Sequence, residues 1–510
     1  MIDSKRIAKN TVILYVRMLL IMAVTLYTSR IVLAILGIEN YGLLNSINGL
    51  IGILSFVNGT LSIGTSRFIT YELGKSDNKV RLAKTFSTAF YTHIMLSIII
   101  VLLMETVGMW FFYNELVLPR EKIDICFKVF QFLLLGNVIS IIQVPYTASI
   151  MAHEKMNIYA YISIFEAVSR LLICYMLSCS INIDKLVLYS ILLFLVNLVV
   201  FIFYHIYCKR NFEECEIKLG FNVSIFKDLI NFSGWNILAN FTETLRLQGI
   251  IVLINIFFSP AIVAAQAIAN QVTTAMMHFI NNFRTAINPQ IIKLYASNNK
   301  AESKKLTLDS TIYCFDMILL IGLPAIFVMD RLLEIWLVEV PDYAVIFIKW
   351  IIITRIIDTF SASFYIPMMA ANNIKTNAIA SSITGLGQFL ILYFLLKLGL
   401  SVMWVQYTSF IAALISACFI KPYILYRDLD YSLYELFKCY LQCLKILLLA
   451  LVISIISYYS IDNSGTGFIL LVFVIAAGVV ISSLVFMKNQ DRKKLFYYIS
   501  KKIIGNVRKG

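Results

Sequence analysis

Residues 186–207 read LVLYSILLFLVNLVVFIFYHIY. The stretch holds no Asp, Glu, Lys or Arg, and it runs straight into Lys209-Arg210. An α-helix rises 1.5 Å per residue, so about 20 apolar residues cross the ~30 Å hydrocarbon layer of a bilayer. A helix of this length with no charged face has nothing to offer water, and its place is in lipid.

Working outward, the same kind of run recurs from one end of the chain to the other. The predicted spans are 10–36, 42–72, 85–112, 123–151, 158–179, 186–207, 229–258, 262–292, 309–330, 343–371, 377–397, 401–424, 436–458 and 467–487. The 510 residues are 60% hydrophobic and 14% charged, with a mean hydropathy of +0.83. A soluble domain is about 45–50% apolar and about 25% charged. The fold class that follows is an all-α membrane protein of about fourteen transmembrane helices. The apolar run after residue 10 passes Leu36 with no small-residue cleavage site, so it reads as a retained first helix. The connecting segments are too short to build a water-soluble catalytic domain, and no enzyme is expected.

Charge sets the topology. With the N-terminus in the cytoplasm, most of the Lys and Arg between spans lie on the cytoplasmic side, ending with Lys488, Arg492, Lys493 and Lys494 and the tail beyond them. Arg120, Lys122, Lys185, Arg331 and Lys397 are left on the other side. The positive-inside rule thus predicts an even number of spans with both termini cytoplasmic. The net charge of +14 is explained by this topology and by anionic lipid headgroups, with no call on nucleic acid. The nine cysteines show no CxxC spacing, and the four histidines are dispersed, so neither a disulfide framework nor a metal site is expected.

Two loops repeat. Ser76, Asn78 and Lys79 match Ser297, Asn299 and Lys300, and Lys155-Met-Asn157 matches Lys375-Thr-Asn377 at nearly the same offset. That offset contains an even number of spans, so the two halves share one orientation. The expected domains are a six-helix bundle at 1–210, a cytoplasmic linker at 211–228 and a second six-helix bundle at 229–428. Two additional transmembrane helices at 429–487 and a basic tail at 488–510 follow. Transporters are often built this way, with the substrate path between the repeats.

Polar residues inside lipid are costly and mark function or tight packing. One helical face of the second span carries Asn45, Asn48, Gly52, Ser55, Gly59, Ser62 and Ser66, and the eighth span has Gln266, Asn270, Thr273, Asn281, Arg284 and Asn288 on a similar face. These asparagines and the glutamine are read as lining a hydrated cavity. Arginines also fall within spans. Arg170, Arg246 and Arg355 each have an acid three or four residues away, at Glu166, Glu243 and Asp358, where the two can neutralise each other. Arg17, Arg30, Arg67 and Arg284 have no such neighbour, and Arg17, Arg67 and Arg284 are also placed to snorkel to the surface. The sharper reading of these arginines is a cationic pocket between the halves, because a guanidinium binds phosphate through two parallel hydrogen bonds. Asp316, with Glu243 and Asp358, is a candidate carrier for a coupling proton or sodium ion. Pro145, Pro289, Pro324 and Pro367 predict kinks. No cofactor is expected beyond such an ion gradient.

Ser29-Arg-Ile-Val-Leu33, Leu36-Gly37 and Tyr41-Gly42-Leu43 resemble the first loop of Wzx-type polysaccharide flippases, and Ser66-Arg67-Phe68 with the basic loop after it fits the same pattern. These belong to the multidrug/oligosaccharidyl-lipid/polysaccharide exporter superfamily. The resemblance implies a MATE-like fold of two six-helix bundles related by a pseudo-two-fold repeat, plus two C-terminal helices. It also implies alternating access around a central cavity. The cargo it implies is an undecaprenyl-diphosphate-linked oligosaccharide repeat unit carried across the bacterial inner membrane for O-antigen, capsule or exopolysaccharide. Arg17, Arg30, Arg67, Arg246 and Arg284 are the positions that suit the family's cationic cavity. Membrane lipids, a polysaccharide polymerase and a chain-length regulator are the implied partners. The alternatives are a multidrug cation antiporter of the same fold, a membrane-embedded polysaccharide polymerase or ligase, and a flippase for teichoic acid or lipid II. An antiporter for cations calls for a carboxylate-centred cavity, whereas the unpaired charge here is mainly positive.

Overall fold

The computed structural model describes residues 4–74, 79–179, 183–216, 220–371, 373–462, 465–487 and 492. Lys75–Asn78 of the first repeat loop, residues 217–219 of the linker and most of the basic tail lie outside them. Among the described residues the chain is helical throughout, and a helix occupies every predicted span. Ten of these helices are long and apolar enough to cross a membrane, and the protein is a multi-pass membrane protein. The predicted second span is split: Asn45, Asn48 and Gly52 of its stripe lie on Ser4–Gly52, which is among the ten, whereas Ser55–Gly74, with the rest of that stripe, and Pro260–Ala296, with the other, are not.

The helices group into two compact units. The first comprises residues 1–271, 334–344 and 378–405. The second comprises residues 272–333, 345–377 and 406–510.

In the first unit, Ser4–Gly52 packs along Met156–Cys179 and against Ile123–Ile142. It is continuous except at Gly37, where φ is 78° and ψ is 165°. A side chain is strained in that region of backbone space, so glycine sets the break. Five residues on, Gly42 abuts the backbone of Pro260. A Cβ there would stand 1.8 Å from the Pro260 carbonyl oxygen. Helices in lipid gain little from hydrophobic association and depend on close backbone approach of this kind. The family-like stretch Leu36-Gly37…Tyr41-Gly42 is therefore a bend followed by a contact point.

The end of this unit near the linker is held by Tyr146, which is fully buried. Its ring meets Phe86, Phe90, Phe201 and His205 at centroid distances of 5.2–6.0 Å, and its hydroxyl shares a 2.9 Å hydrogen bond with His205 Nδ1. The start of the predicted linker docks onto it. Phe212 and Cys215 join the same apolar cluster, Phe212 stacks on His153 at 4.0 Å, and His153 Nε2 meets Glu214 Oε1 at 2.6 Å. Asn222 then caps Val223–Thr244 by accepting from the Ser224 and Ile225 amides.

The second unit contains the long helix Lys300–Trp336 up to Leu333 and the terminal pair Leu433–Ser460 and Thr466–Phe486. Phe315 stacks on Phe360 at 4.9 Å, and the Tyr440 hydroxyl donates to the Ala417 carbonyl at 2.7 Å. The terminal pair is tied to Lys300–Trp336 by Ser483 Oγ, which donates to Asp316 Oδ2 at 2.6 Å.

The repeat loops mark helix starts. Lys79 and Lys300 each begin a helix, and Asn299 caps the second by accepting from the Glu302 amide. Two of the four prolines sit where helices break. Pro145 follows the interruption at Gln143, and Pro367 follows the turn at 360–364, while Pro289 and Pro324 remain inside helices.

Gly42→Ala is expected to lower the Tm of the detergent-solubilised protein by several degrees, because the added methyl meets backbone. Gly37→Val is expected to cost about 1–3 kcal/mol through strain. Unchanged melting in both, followed by size-exclusion-coupled thermal unfolding, would contradict the bend-and-contact reading.

Candidate functional site: a polar cavity in the N-terminal unit

The first unit holds a half-open cavity of about 550 Å3. Helical periodicity explains which side chains reach it. Ser4–Gly52 presents Arg17, Thr25, Thr28 and Ser29, then Tyr41 beyond the Gly37 bend. Met156–Cys179 presents Tyr159, Ser163, Glu166 and Arg170, spaced four, three and four apart, on one face. Ser140, Gln143 and Thr147 come from the helical stretch broken before Pro145, and Tyr189 and Tyr204 from Lys185–Asn211. Ser62 and Gln271 complete the polar wall.

The charges of the wall do not cancel. Arg170 Nη2 donates to Glu166 Oε1 at 2.7 Å, one turn away on the same helix. That pair is locally neutral. Arg17 stacks over the Tyr159 ring, with its Cζ 4.4 Å from the centroid, and makes no ion pair with a carboxylate among the described residues. The aromatic face steadies the guanidinium without neutralising it. Of the charged groups lining the cavity, Arg17 is thus the one that leaves a net positive charge.

The hydroxyls are oriented too. Ser29, Ser140, Thr147 and Ser163 each donate to a carbonyl of their own helix at 2.7–3.0 Å. Their hydrogens are used, so their oxygens meet the cavity as acceptors. Three other polar atoms on the wall are buried without a partner: Arg17 Nε, Thr28 Oγ1 and Gln271 Oε1.

The structure distributes the predicted site residues widely. Of the five arginines read as a cationic pocket, Arg17 lines this cavity. Arg30 turns to the Ile335 carbonyl, to which its Nη1 donates at 3.3 Å. Arg67 is exposed. Arg246 sits in a π-helical turn, Leu245–Gly249, and is held by Glu243 through bonds of 3.0 and 2.5 Å. Arg284 belongs to the second unit, where its Nε is buried without a partner.

Asn45 donates to the Tyr41 carbonyl of its own helix at 2.8 Å, and Gln266 donates to Asn270 at 2.9 Å. Asn48 and Asn281 are exposed, and Asn288 keeps a buried, unpartnered Oδ1. Asp358 pairs with Arg355 at 2.8 Å. Asp316 accepts from Ser483 and keeps Oδ1 buried and unpartnered.

Sequence reasoning passed over Thr28, Tyr159 and Gln271, and it set Arg170 aside as neutralised. Gln271 was legible as a second amide beside Asn270. Tyr159 and Thr28 carry no signal until the helices are packed.

A hydrated cavity has a simple signature. With the exposed Cys179 and half-buried Cys418 replaced by serine, Ser140→Cys or Ser163→Cys is expected to react with a charged methanethiosulfonate in detergent within minutes. Buried Cys126, Cys174 and Cys443 should stay unmodified in the parent over the same time. Labelling of the parent equal to that of both cavity variants, read by intact-protein mass spectrometry, would refute a water-filled cavity.

Comparison with known proteins places this architecture. The structure of the lipid II flippase MurJ in an inward-closed conformation matches with a TM-score of 0.70 at 12% identity, covering 94% of this chain and 98% of that one. An inward-facing multidrug resistance MATE family transporter of the MOP superfamily matches with a TM-score of 0.64 at 14% identity, covering 80% and 96%. A MOP superfamily transporter from Pyrococcus furiosus matches with a TM-score of 0.59 at 14% identity, covering 83% and 97%. At these identities the likeness is one of fold. No curated protein matches in sequence. A family model described as polysaccharide biosynthesis protein matches residues 31–339, more than half of the sequence, and the chain therefore belongs to the polysaccharide biosynthesis protein family with a MurJ- and MATE-like fold.

Proposed function

We propose that the protein is a flippase that moves prenyl-diphosphate-linked oligosaccharide repeat units across the bacterial inner membrane. The observation that carries this reading is a polar cavity inside a polysaccharide-family membrane protein, with Arg17 as its uncompensated charge. The cargo has three parts with different solvation needs. The prenyl tail stays in lipid. The diphosphate and glycan need water or fixed polar groups, and moving them through bare hydrocarbon would cost many kcal/mol.

The cavity supplies such groups. Arg17 offers guanidinium donors to a phosphate oxygen, and its stacking on Tyr159 lowers the entropy lost when that contact forms. The hydroxyl acceptors and tyrosines suit a glycan. Opening of the cavity to one side of the membrane and then the other would carry the polar head across while the tail follows in lipid.

The distribution of Lys and Arg supports both termini in the cytoplasm, by the positive-inside rule. The P-loop motif GxxxxGK[ST] does not occur in the sequence, so a proton or sodium gradient is the proposed drive, with Asp316, Glu243 and Asp358 as the carriers to test. O-antigen, capsule and exopolysaccharide units are all cargo of the right chemistry, and a polymerase and chain-length regulator would act on the product. Arg30, Arg67, Arg246 and Arg284 remain proposed secondary contacts along the path.

A multidrug cation antiporter is the rival reading, given the fold it shares with a MATE transporter. The net positive charge of the cavity wall opposes cation binding.

Arg17→Glu in place of the wild-type copy is expected to abolish surface polysaccharide and leave lipid-linked repeat units on the cytoplasmic leaflet, with normal amounts of protein in the membrane. Arg17→Lys should retain part of the activity, since charge survives and the two-pronged geometry does not. Full polysaccharide display by Arg17→Glu would overturn the assignment.

A further inference from the structure

The sequence repeat divides the chain at the linker, so the seventh span opens the second half. Packing divides it elsewhere. The first compact unit runs unbroken to Gln271 and takes in both the linker and the whole of the seventh span, residues 223–257.

The described parts of the linker are fastened at both ends. At its start Glu213 pairs with Lys79 at 2.8 Å and Glu214 with His153 at 2.6 Å. At its end the Asn222 amide donates to Thr88 Oγ1 at 3.2 Å. Lys79, Thr88 and His153 all belong to the first six-helix bundle. A segment docked on one body at both ends is a poor joint between two.

The span that follows is bound to the same bundle along its length. Asn240 Nδ2 donates to Thr60 Oγ1 at 2.8 Å, and Phe56 meets Phe241 edge-on at 5.1 Å. Further out, glycines let the backbones close. A Cβ on Gly49 would stand 2.9 Å from Ile251 Cγ2, and one on Gly52 would stand 3.1 Å from Gln248 Cδ. At the outer end Asn255 is fully buried and satisfies one peptide of the loop after the third span. Its Oδ1 accepts from the Val117 N–H at 2.9 Å, and its Nδ2 donates to the Val117 carbonyl at 3.4 Å.

These ties differ in what their rupture leaves behind. Apolar contacts can slide, because lipid tails replace them at little cost. Asn255 cannot leave Val117 without an unmatched amide in an apolar setting. Thr60 is 1% exposed and already donates to the Phe56 carbonyl, so Asn240 would lose its acceptor in the same way. A polar tie near each end of the contact therefore holds the seventh span in place.

We infer that the seventh span, although it opens the second sequence repeat, is a permanent part of the first body and stays with it throughout transport. The boundary between moving parts then lies beyond residue 257, and the linker is a docked strap that does not bend. This inference deepens the flippase reading above and rests on it, by saying which helices move together.

The test locks the seventh span to the second. A Cβ on Gly49 would lie 3.4 Å from the Ile251 Cβ, close to the ~3.5–4.5 Å spacing within a disulfide. Gly49→Cys with Ile251→Cys should therefore cross-link on oxidation with copper phenanthroline. The full-length variant, in liposomes loaded with a prenyl-diphosphate-linked oligosaccharide, is expected to flip it equally fast oxidised and reduced. Should that pair elute as misfolded protein, Thr60→Cys with Asn240→Cys, bridged by a short bis-methanethiosulfonate, asks the same question. Loss of flipping on cross-linking, recovered on reduction, would overturn the inference, and so would failure of both pairs to cross-link.

A wild-type protein that flips nothing would sink the flippase reading instead. Spin labels then decide the inference without transport. They would be placed on Tyr71→Cys and Val223→Cys, at exposed positions near the cytoplasmic ends of the two spans, with Cys179 and Cys418 replaced by serine. A single distance population, the same in detergent and in liposomes, is the expected result, and two populations would overturn it.

Discussion

Hydrocarbon offers no hydrogen bonds, and the whole structure is arranged around that lack. Backbone groups are satisfied within helices, which is why helix is the secondary structure seen among the described residues. Hydroxyls follow the same logic. Ser46, Thr60, Thr92, Ser97, Ser454 and Ser482 each donate to a carbonyl one turn back on their own helix. Against this background an unsatisfied polar atom is conspicuous. Three of them, Arg17 Nε, Thr28 Oγ1 and Gln271 Oε1, belong to residues that line the N-terminal cavity.

The same constraint orders the first helix. Its bend at Gly37 and its contact at Gly42 let Tyr41 face the cavity from beyond the bend, on the helix that also carries Arg17. Packing and site geometry are therefore one problem here. The residues that resemble a family signature act on backbone geometry, while the charge that faces the cavity sits earlier on the same helix.

Much of the fold could be read before any packing was known. Apolar runs such as 186–207 need only length and composition to be placed in lipid, and the matched lysines Lys79 and Lys300 each start a helix. The site was harder. Arg17 was visible as a charge without an acid neighbour, and so was Arg30, yet Arg30 turns to a backbone carbonyl contributed by residue 335. That partner lies far along the chain, and no local pattern reports it. Glu166 and Arg170 were readable as a pair from their spacing, but their position on the cavity wall depends on how Met156–Cys179 meets the first helix. Thr28 Oγ1 and Gln271 Oε1 are buried without a partner, which is a property of the packed structure that no local pattern reports.

Transport of a lipid-linked sugar is the central claim, and reconstitution addresses it most directly. Purified protein in liposomes would be loaded with a prenyl-diphosphate-linked oligosaccharide, and glycan exposed on the outer leaflet would be measured over time by an impermeant glycan-oxidising or glycan-binding reagent. The account predicts that the inner-leaflet pool becomes accessible in protein-containing vesicles and stays protected in empty ones. Protection equal to that of empty vesicles, with uptake of an organic cation by the same vesicles, would contradict it.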